Sequence, residues 1–206
     1  MIAFCTGKDK GAKVSEALTK ALAQDPQNVR LHLQMAALYM EQKSLKEAEA
    51  TYKQAVELAP KDPLPWLALG DFYVVATQQF DDAVSAYKQA VTLKPEAGLP
   101  KLIELTLRQH KLDDAARYVQ ELLKSKESKT VGKYWKGRLV LAKGQSVDAI
   151  AILQDVVREQ PTCALVHYYL GLALMAHNNL PLAKTSFEEA TRLAPNLVEA
   201  HQLKLP

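Results

Sequence analysis

The sequence predicts an all-α fold, an α-solenoid of about five helix-turn-helix units with partial units at both ends, and three observations carry this. Alanines recur at positions 48, 83, 115, 149 and 183, in steps of 35, 32, 34 and 34. A proline stands twelve residues after four of them, at Pro60, Pro95, Pro161 and Pro195, and Pro26 fits the same comb one period earlier. Between these marks the apolar residues keep helical spacing. A repeat of this length is the signature of stacked helical hairpins, in which no unit buries its apolar face alone.

Each unit divides into two helices. Ala48, Tyr52 and Ala55 lie at i, i+4, i+7, and Trp66, Leu69, Gly70 and Tyr73 at i, i+3, i+4, i+7, so each set shares one helix face. Asn28, Asp62, Thr162 and Asn196 are expected N-caps, with Pro63 in the first turn after Asp62. The run Ser44-Leu45-Lys46-Glu47 reads as a capping box opening a second helix. Proline after a second helix lacks the N–H to continue it and forces a turn. Ala48, Ala55, Ala83, Ala90, Gly70 and Gly171 are expected where helices cross closely. Tyr52, Tyr87 and Phe187 are expected to fill the gap between one helix pair and the next.

The second unit reads Trp66-x2-Leu69-Gly70-x2-Tyr73, then Ala83-x3-Tyr87-x2-Ala90 and Pro95, and it resembles the tetratricopeptide repeat with one extra residue between Tyr73 and Ala83. The first unit keeps Tyr39, Ala48, Tyr52, Ala55 and Pro60 but carries His32 in the tryptophan slot. The fifth keeps Leu170, Gly171, Ala183, Phe187, Ala190 and Pro195, with His167 in that slot. The third and fourth are degenerate, and the third runs into the polar stretch Lys124–Lys129, where a bend is expected. The expected organisation is a disordered or tethering segment over 1–13 and a single array over 14–205. Its units are approximately 11–27, 28–61, 62–96, 97–128, 129–162 and 163–196, with a clipped first helix over 197–206.

The resemblance implies a right-handed superhelix whose first helices line a concave groove for a partner peptide or helix. Mapped onto this sequence, the groove positions are Arg30, Leu33, Ala37 and Met40 in the first unit, and Leu67, Asp71 and Val74 in the second. The third supplies Lys101, Glu104 and Leu107, and the fourth Tyr134, Arg138 and Leu141. The fifth supplies Leu165, Tyr168, Leu172 and Met175. One subclass of the family grips a C-terminal carboxylate with paired Lys and Asn, and the matching positions here, Leu33 and Ala37, hold neither. Tyr134, Tyr168, Met175 and Arg138 instead point to an apolar or aromatic-bearing partner segment, since Tyr and Arg dominate binding hot spots. Against this stands packing alone, because Tyr168, Tyr169 and Trp135 at helical spacing also suit the space between helices.

Charge gives an alternative. Net charge is +3, yet between Lys101 and Lys143 eleven Lys/Arg face five Asp/Glu, an excess of six that leaves the rest of the chain acidic by three. Lys124, Lys126, Lys129, Lys133, Lys136, Arg138 and Lys143 flank Tyr134-Trp135, an arrangement that suits a polyanion such as nucleic acid or an acidic polysaccharide. A solvated helix face explains the same run, and an excess of six is modest beside strongly basic nucleic-acid binders.

Catalysis finds no footing. The five histidines stand one to a helix or loop, three of them (His32, His167 and His201) in the tryptophan slot. Gly7-Lys8-Asp9-Lys10-Gly11 lacks the spacing of a phosphate loop. Cys5 and Cys163 match no metal or redox spacing. The expectation is a binding protein with no catalytic residue, metal or cofactor, and with no apolar run long enough for a membrane helix. Two readings of compartment stay open: soluble and cytoplasmic, or a bacterial envelope lipoprotein anchored at Cys5. Only four residues precede Cys5 and Phe4 replaces the usual small residue, both departures from a lipoprotein signal. The clipped last helix leaves the apolar face of the fifth unit partly covered, which points to a longer array or to self-association through that end.

Overall fold

The computed structural model describes residues 7–197. Among them are eleven α-helices and no strand. They are α1 Gly7–Gln24, α2 Val29–Glu41, α3 Leu45–Leu58, α4 Pro63–Phe72, α5 Phe80–Leu93, α6 Pro95–Arg108, α7 Leu112–Lys124, α8 Lys129–Ala142, α9 Ser146–Glu159, α10 Ala164–Ala176 and α11 Leu180–Leu193. Helix α1 begins inside the 1–13 stretch expected as a tether. Cys5, and the expected clipped helix from residue 198 onward with His201, lie outside the described residues.

Packing divides the chain into two compact units, residues 1–101 and 102–206, with the boundary inside α6. In the first, α2 pairs with α3 and α4 with α5, while α1 lies on α2 and α3 on α4. In the second, α7 lies on α8, α8 pairs with α9, α9 lies on α10, and α10 pairs with α11. Within each unit, then, every hairpin nests on its sequence neighbour.

The comb is the core. Ala48, Ala55, Ala83, Ala90, Ala115, Ala149, Ala183 and Ala190 are all fully buried. Two glycines mark the tightest crossings. A Cβ on Gly70 would run into the ring of Tyr87, and one on Gly171 would lie 2.6 Å from Cε1 of Phe187. Tyr87 and Phe187 thus close the crossing within their own hairpins. Tyr52 spans neighbouring hairpins, its ring 5.5 Å from that of Phe72 on α4.

The hairpin turns share one backbone device. Lys43, Gln78, His110, Gly144 and Asn178 all have positive φ, and each stands five residues before a comb alanine. Four turns return a backbone N–H to a carbonyl five residues back: Ser44 to Tyr39, Lys111 to Thr106, Gln145 to Val140 and Asn179 to Leu174. The second unit differs, with Gln79 N–H reaching Tyr73 O, six residues back. Residues Tyr73–Thr77 form a π turn that absorbs the extra residue seen in the sequence, so Ala83 still arrives in register.

Capping agrees in part. Asn28 Oδ1 accepts from Leu31 N–H at 3.3 Å, and Asp62 Oδ1 from Leu64 N–H at 2.9 Å, with Pro63 opening α4. Ser44 precedes α3 but makes no side-chain cap, so the capping box does not close. Thr162 is not a cap, because α10 starts at Ala164 after Cys163. Asn179 caps α11 instead, accepting from Leu182 N–H at 3.4 Å. Pro95 does more than stop α5, since it is the first residue of α6, where its missing N–H has no helical partner to lose.

The tryptophan slot has a polar purpose. Trp66 Nε1–H donates to Pro60 O at 3.1 Å, tying the start of α4 to the chain leaving α3. His32 Nε2 bonds Pro26 O at 2.9 Å, and His167 Nε2 bonds Pro161 O at 2.8 Å. A carbonyl oxygen can only accept, so both imidazoles carry the proton on Nε2 and reproduce the indole bond. In the fourth unit Lys133 fills the slot, Glu127 replaces the proline, and Lys133 pairs with Glu159 at the end of α9.

Candidate interaction surface

In the compact unit 1–101 the groove positions divide by exposure. Arg30 and Ala37 are exposed, and Leu33, Met40, Leu67, Asp71 and Lys101 are half-buried. Val74 is buried and does not face a groove, because the π turn shifts the phase of the helix end and turns Val75, 70% exposed, outward in its place. The Met40 sulfur accepts the Tyr52 hydroxyl at 3.5 Å. Asp71 accepts three bonds from two groups: its Oδ1 accepts from the Tyr87 hydroxyl at 2.6 Å, and both carboxylate oxygens accept from Lys101 Nζ at 2.8 Å. An intramolecular cation thus neutralises the acid at this position. Nearby, Glu49 accepts from Lys53 and from the Tyr73 hydroxyl, and the bond from Lys53 above all holds its carboxyl below the ordinary range.

In the compact unit 102–206 Glu104, Tyr134, Arg138 and Leu141 come together on α6 and α8. The Arg138 guanidinium lies 4.3 Å from the Trp135 ring centre, 4.2 Å from that of Tyr169 and 5.7 Å from that of Tyr134. Stacking of this kind suits the flat, weakly hydrated guanidinium. The rings continue edge to face, Trp135 to Tyr134 at 5.3 Å, Tyr134 to Tyr169 at 5.7 Å and Tyr169 to Tyr168 at 5.2 Å, and the chain ends on Phe187 at 5.8 Å. Burial pushes the Tyr134 phenol well above its ordinary range and raises that of Tyr169, with Arg138 opposing both shifts.

Arg138 itself is held but not quenched. Its side chain is 12% exposed; it donates a long bond to the Tyr134 hydroxyl at 3.5 Å and lies against the Tyr169 phenol, while the Glu104 carboxylate stands 3.8 Å away. Beside it opens a cleft of about 260 Å³ lined by Leu107 and Arg108 of α6, Arg138, Leu141 and Ala142 of α8, and Tyr169 of α10. Every lining residue comes from a first helix. Tyr168, Leu172 and Met175 pack partly against the core of this unit, and Leu165 is 46% exposed.

Several cleft residues escape the groove pattern. Arg108 and Ala142 fall one position beyond it, and Tyr169 sits on the packed side, as does Trp135 beneath Arg138. One signal for the pairing was present: Glu104 and Arg138 are one period apart, so stacked hairpins place them in neighbouring first helices. The basic run fares differently. Trp135 is only 6% exposed, under the Arg138 guanidinium, so its face is withdrawn from stacking on a base or sugar. Lys133 is engaged with Glu159. No helix among the described residues is long and apolar enough to cross a membrane.

Comparison with known proteins agrees with this architecture. Models of the tetratricopeptide repeat match residues 11–71, 65–96, 101–162 and 134–198. No curated protein matches the sequence. Among solved structures, YrrB, described as a tetratricopeptide-repeat protein with an unusual peptide-binding site, is similar at 22% identity and a TM-score of 0.52 over 93% of this chain and 100% of its own. A tetratricopeptide-repeat protein from Parabacteroides merdae aligns at 17% identity and 0.73, covering 95% of this chain and 77% of that one. Yeast Tom70 aligns at 17% and 0.74, over 97% of this chain and 42% of its own. At such identities the likeness is one of fold. With its comb alanines buried, its hairpins nested within each unit and repeat models matching along nearly its whole length, the chain belongs to the tetratricopeptide-repeat family.

Proposed function

We propose that this chain is a non-catalytic scaffold that takes an extended or helical segment of a partner protein against its first helices. One observation carries the reading: the cleft beside Arg138 is built from three consecutive first helices, with no second-helix residue in its lining. Its walls pair aliphatic surface from Leu107 and Leu141 with fixed polar groups, the mixture that peptide sites use for affinity and orientation. YrrB, a protein of the same fold, is described as having a peptide-binding site, which supports the reading by analogy.

Site-directed photo-crosslinking in an extract of the source cells tests it. A crosslinking side chain in place of Ala142, exposed at the cleft, is expected to join a discrete partner. The same group in place of Gln154, exposed on the second helix α9, is expected to join none. Equal labelling at both positions, or labelling at Gln154 alone, overturns the assignment.

A further inference from the structure

Resting on that reading, we infer that the cleft selects a partner segment in which an Asp or Glu side chain adjoins an aliphatic one. The lining holds two guanidinium groups, Arg108 and Arg138, and no carboxylate. Over residues 133–143 there are four cations, Lys133, Lys136, Arg138 and Lys143, and no acid. Three aromatic rings hold Arg138 in place, so little side-chain entropy remains to be lost on binding. Among the described residues the carboxylate beside its N–H fork, that of Glu104, stops at 3.8 Å, while a planar carboxylate at bonding distance can accept two N–H bonds at once. Leu107, Leu141 and Ala142 then offer the apolar contact beside it.

Glu104 is the built-in competitor. Its side chain is 49% exposed and its carboxylate stops 3.8 Å from Arg138, close enough to neutralise and too far to bond. A partner carboxylate at bonding distance displaces it. This gives two variants of opposite sign. Removing the Glu104 charge strengthens binding of an acidic segment, and reversing the exposed Arg108 weakens it. The compact unit 1–101 shows the contrast, since there Lys101 already bonds both oxygens of Asp71.

The test is selection of random displayed peptides on the full-length chain. Selected sequences are then synthesised with each Glu changed to Gln or Asp to Asn, and binding is read by fluorescence anisotropy. We expect acidic–aliphatic sequences to be enriched, with affinity falling about tenfold on loss of the carboxylate, the scale of one charge-assisted bond. Arg108→Glu should weaken them by a similar factor, and Glu104→Gln should tighten them. Circular dichroism of both variants checks that the helical content is kept. Peptides that bind but show no acidic preference, or that ignore both variants, overturn this inference and leave the scaffold reading standing. Selection of no peptide by the wild-type chain overturns both. Displacement of the peptides by single-stranded nucleic acid at equal charge overturns the acidic-segment assignment in favour of a general polyanion surface.

Discussion

His167 Nε2–H donates to the carbonyl oxygen of Pro161 across 2.8 Å, the bond that the Trp66 indole makes to Pro60 at 3.1 Å. The two side chains share little beyond a ring N–H at the right reach. If the slot selects that donor rather than bulk, His167→Trp should keep thermal stability within a few degrees. His32→Ala should be far worse, because His32 is 6% exposed and its loss leaves both a void and an unpaired carbonyl. A loss of about 2–4 kcal/mol is expected there by urea denaturation. An equal, small effect of His32→Ala would show that the bond contributes nothing.

Gly171→Ala separates propensity from packing. Alanine is the better helix former by about 1 kcal/mol, so on propensity alone the variant gains stability. The added Cβ, however, falls 2.6 Å from the Phe187 ring, which is 3% exposed and must shift within the core to admit it. A net loss of about 1–3 kcal/mol is expected, as for other overpacked cores. Gly171→Ala combined with Phe187→Leu should recover part of it. A stabilised single variant would mean that the α10–α11 crossing is looser than described.

Much of this architecture was legible because it rests on spacing. A comb of small residues fixes where helices cross, whatever the partner residues are, and the same period places Glu104 beside Arg138. The failures have local causes. Ser44 and Thr162 are good capping residues by type, but the cap depends on backbone angles that type does not dictate. Val74 was misplaced because one inserted residue changed the helix phase. The contacts of Tyr87 with Gly70 and of Phe187 with Gly171 were not legible because aromatic spacing says that a ring is buried and not which neighbour it meets. Arg138 on Trp135 lies at i, i+3, a pairing that helical spacing permits but does not single out.

The π turn at Tyr73–Thr77 makes a deletion experiment informative. Val75 is 70% exposed and sits in the widened turn, so removing it should convert the six-residue return from Gln79 to Tyr73 into the five-residue return of the other four hairpins. The chain should stay folded, with Tm changed by no more than a few degrees. Deleting Ala142, in a hairpin without a spare residue, should rotate everything after it by about 100° about the helix axis and unfold that hairpin. Comparable damage from both deletions would show that the π turn is required for reasons other than register.

Arg138→Lys tests whether charge or shape holds the aromatic ladder. Lysine keeps the charge near Glu104 but cannot lie flat between the Trp135 and Tyr169 rings. A loss of about 0.5–2 kcal/mol is expected, together with a changed Trp135 emission spectrum. Full retention of both would mean that the stack contributes only a point charge.

Alkaline titration reads the same ladder from the other side. Burial raises the phenols of Tyr134 and Tyr169 above their ordinary value, with Arg138 opposing the shift. Below a pH of about 10 both the folded and unfolded chains keep these protons, and stability is at its full value. Above it the unfolded chain releases them while the folded one does not, so unfolding gains free energy. Stability should therefore be flat from neutral pH up to about 10 and then fall, by at most about 1.4 kcal/mol per pH unit for each buried phenol. Of the eight tyrosines, Tyr134 and Tyr169 should add their phenolate absorbance only as the helical signal is lost. Tyr134→Phe should make the decline shallower. Eight phenols ionising together at pH near 10 with the fold intact would mean that this face is open to water, and the stack around Arg138 would have to be discarded.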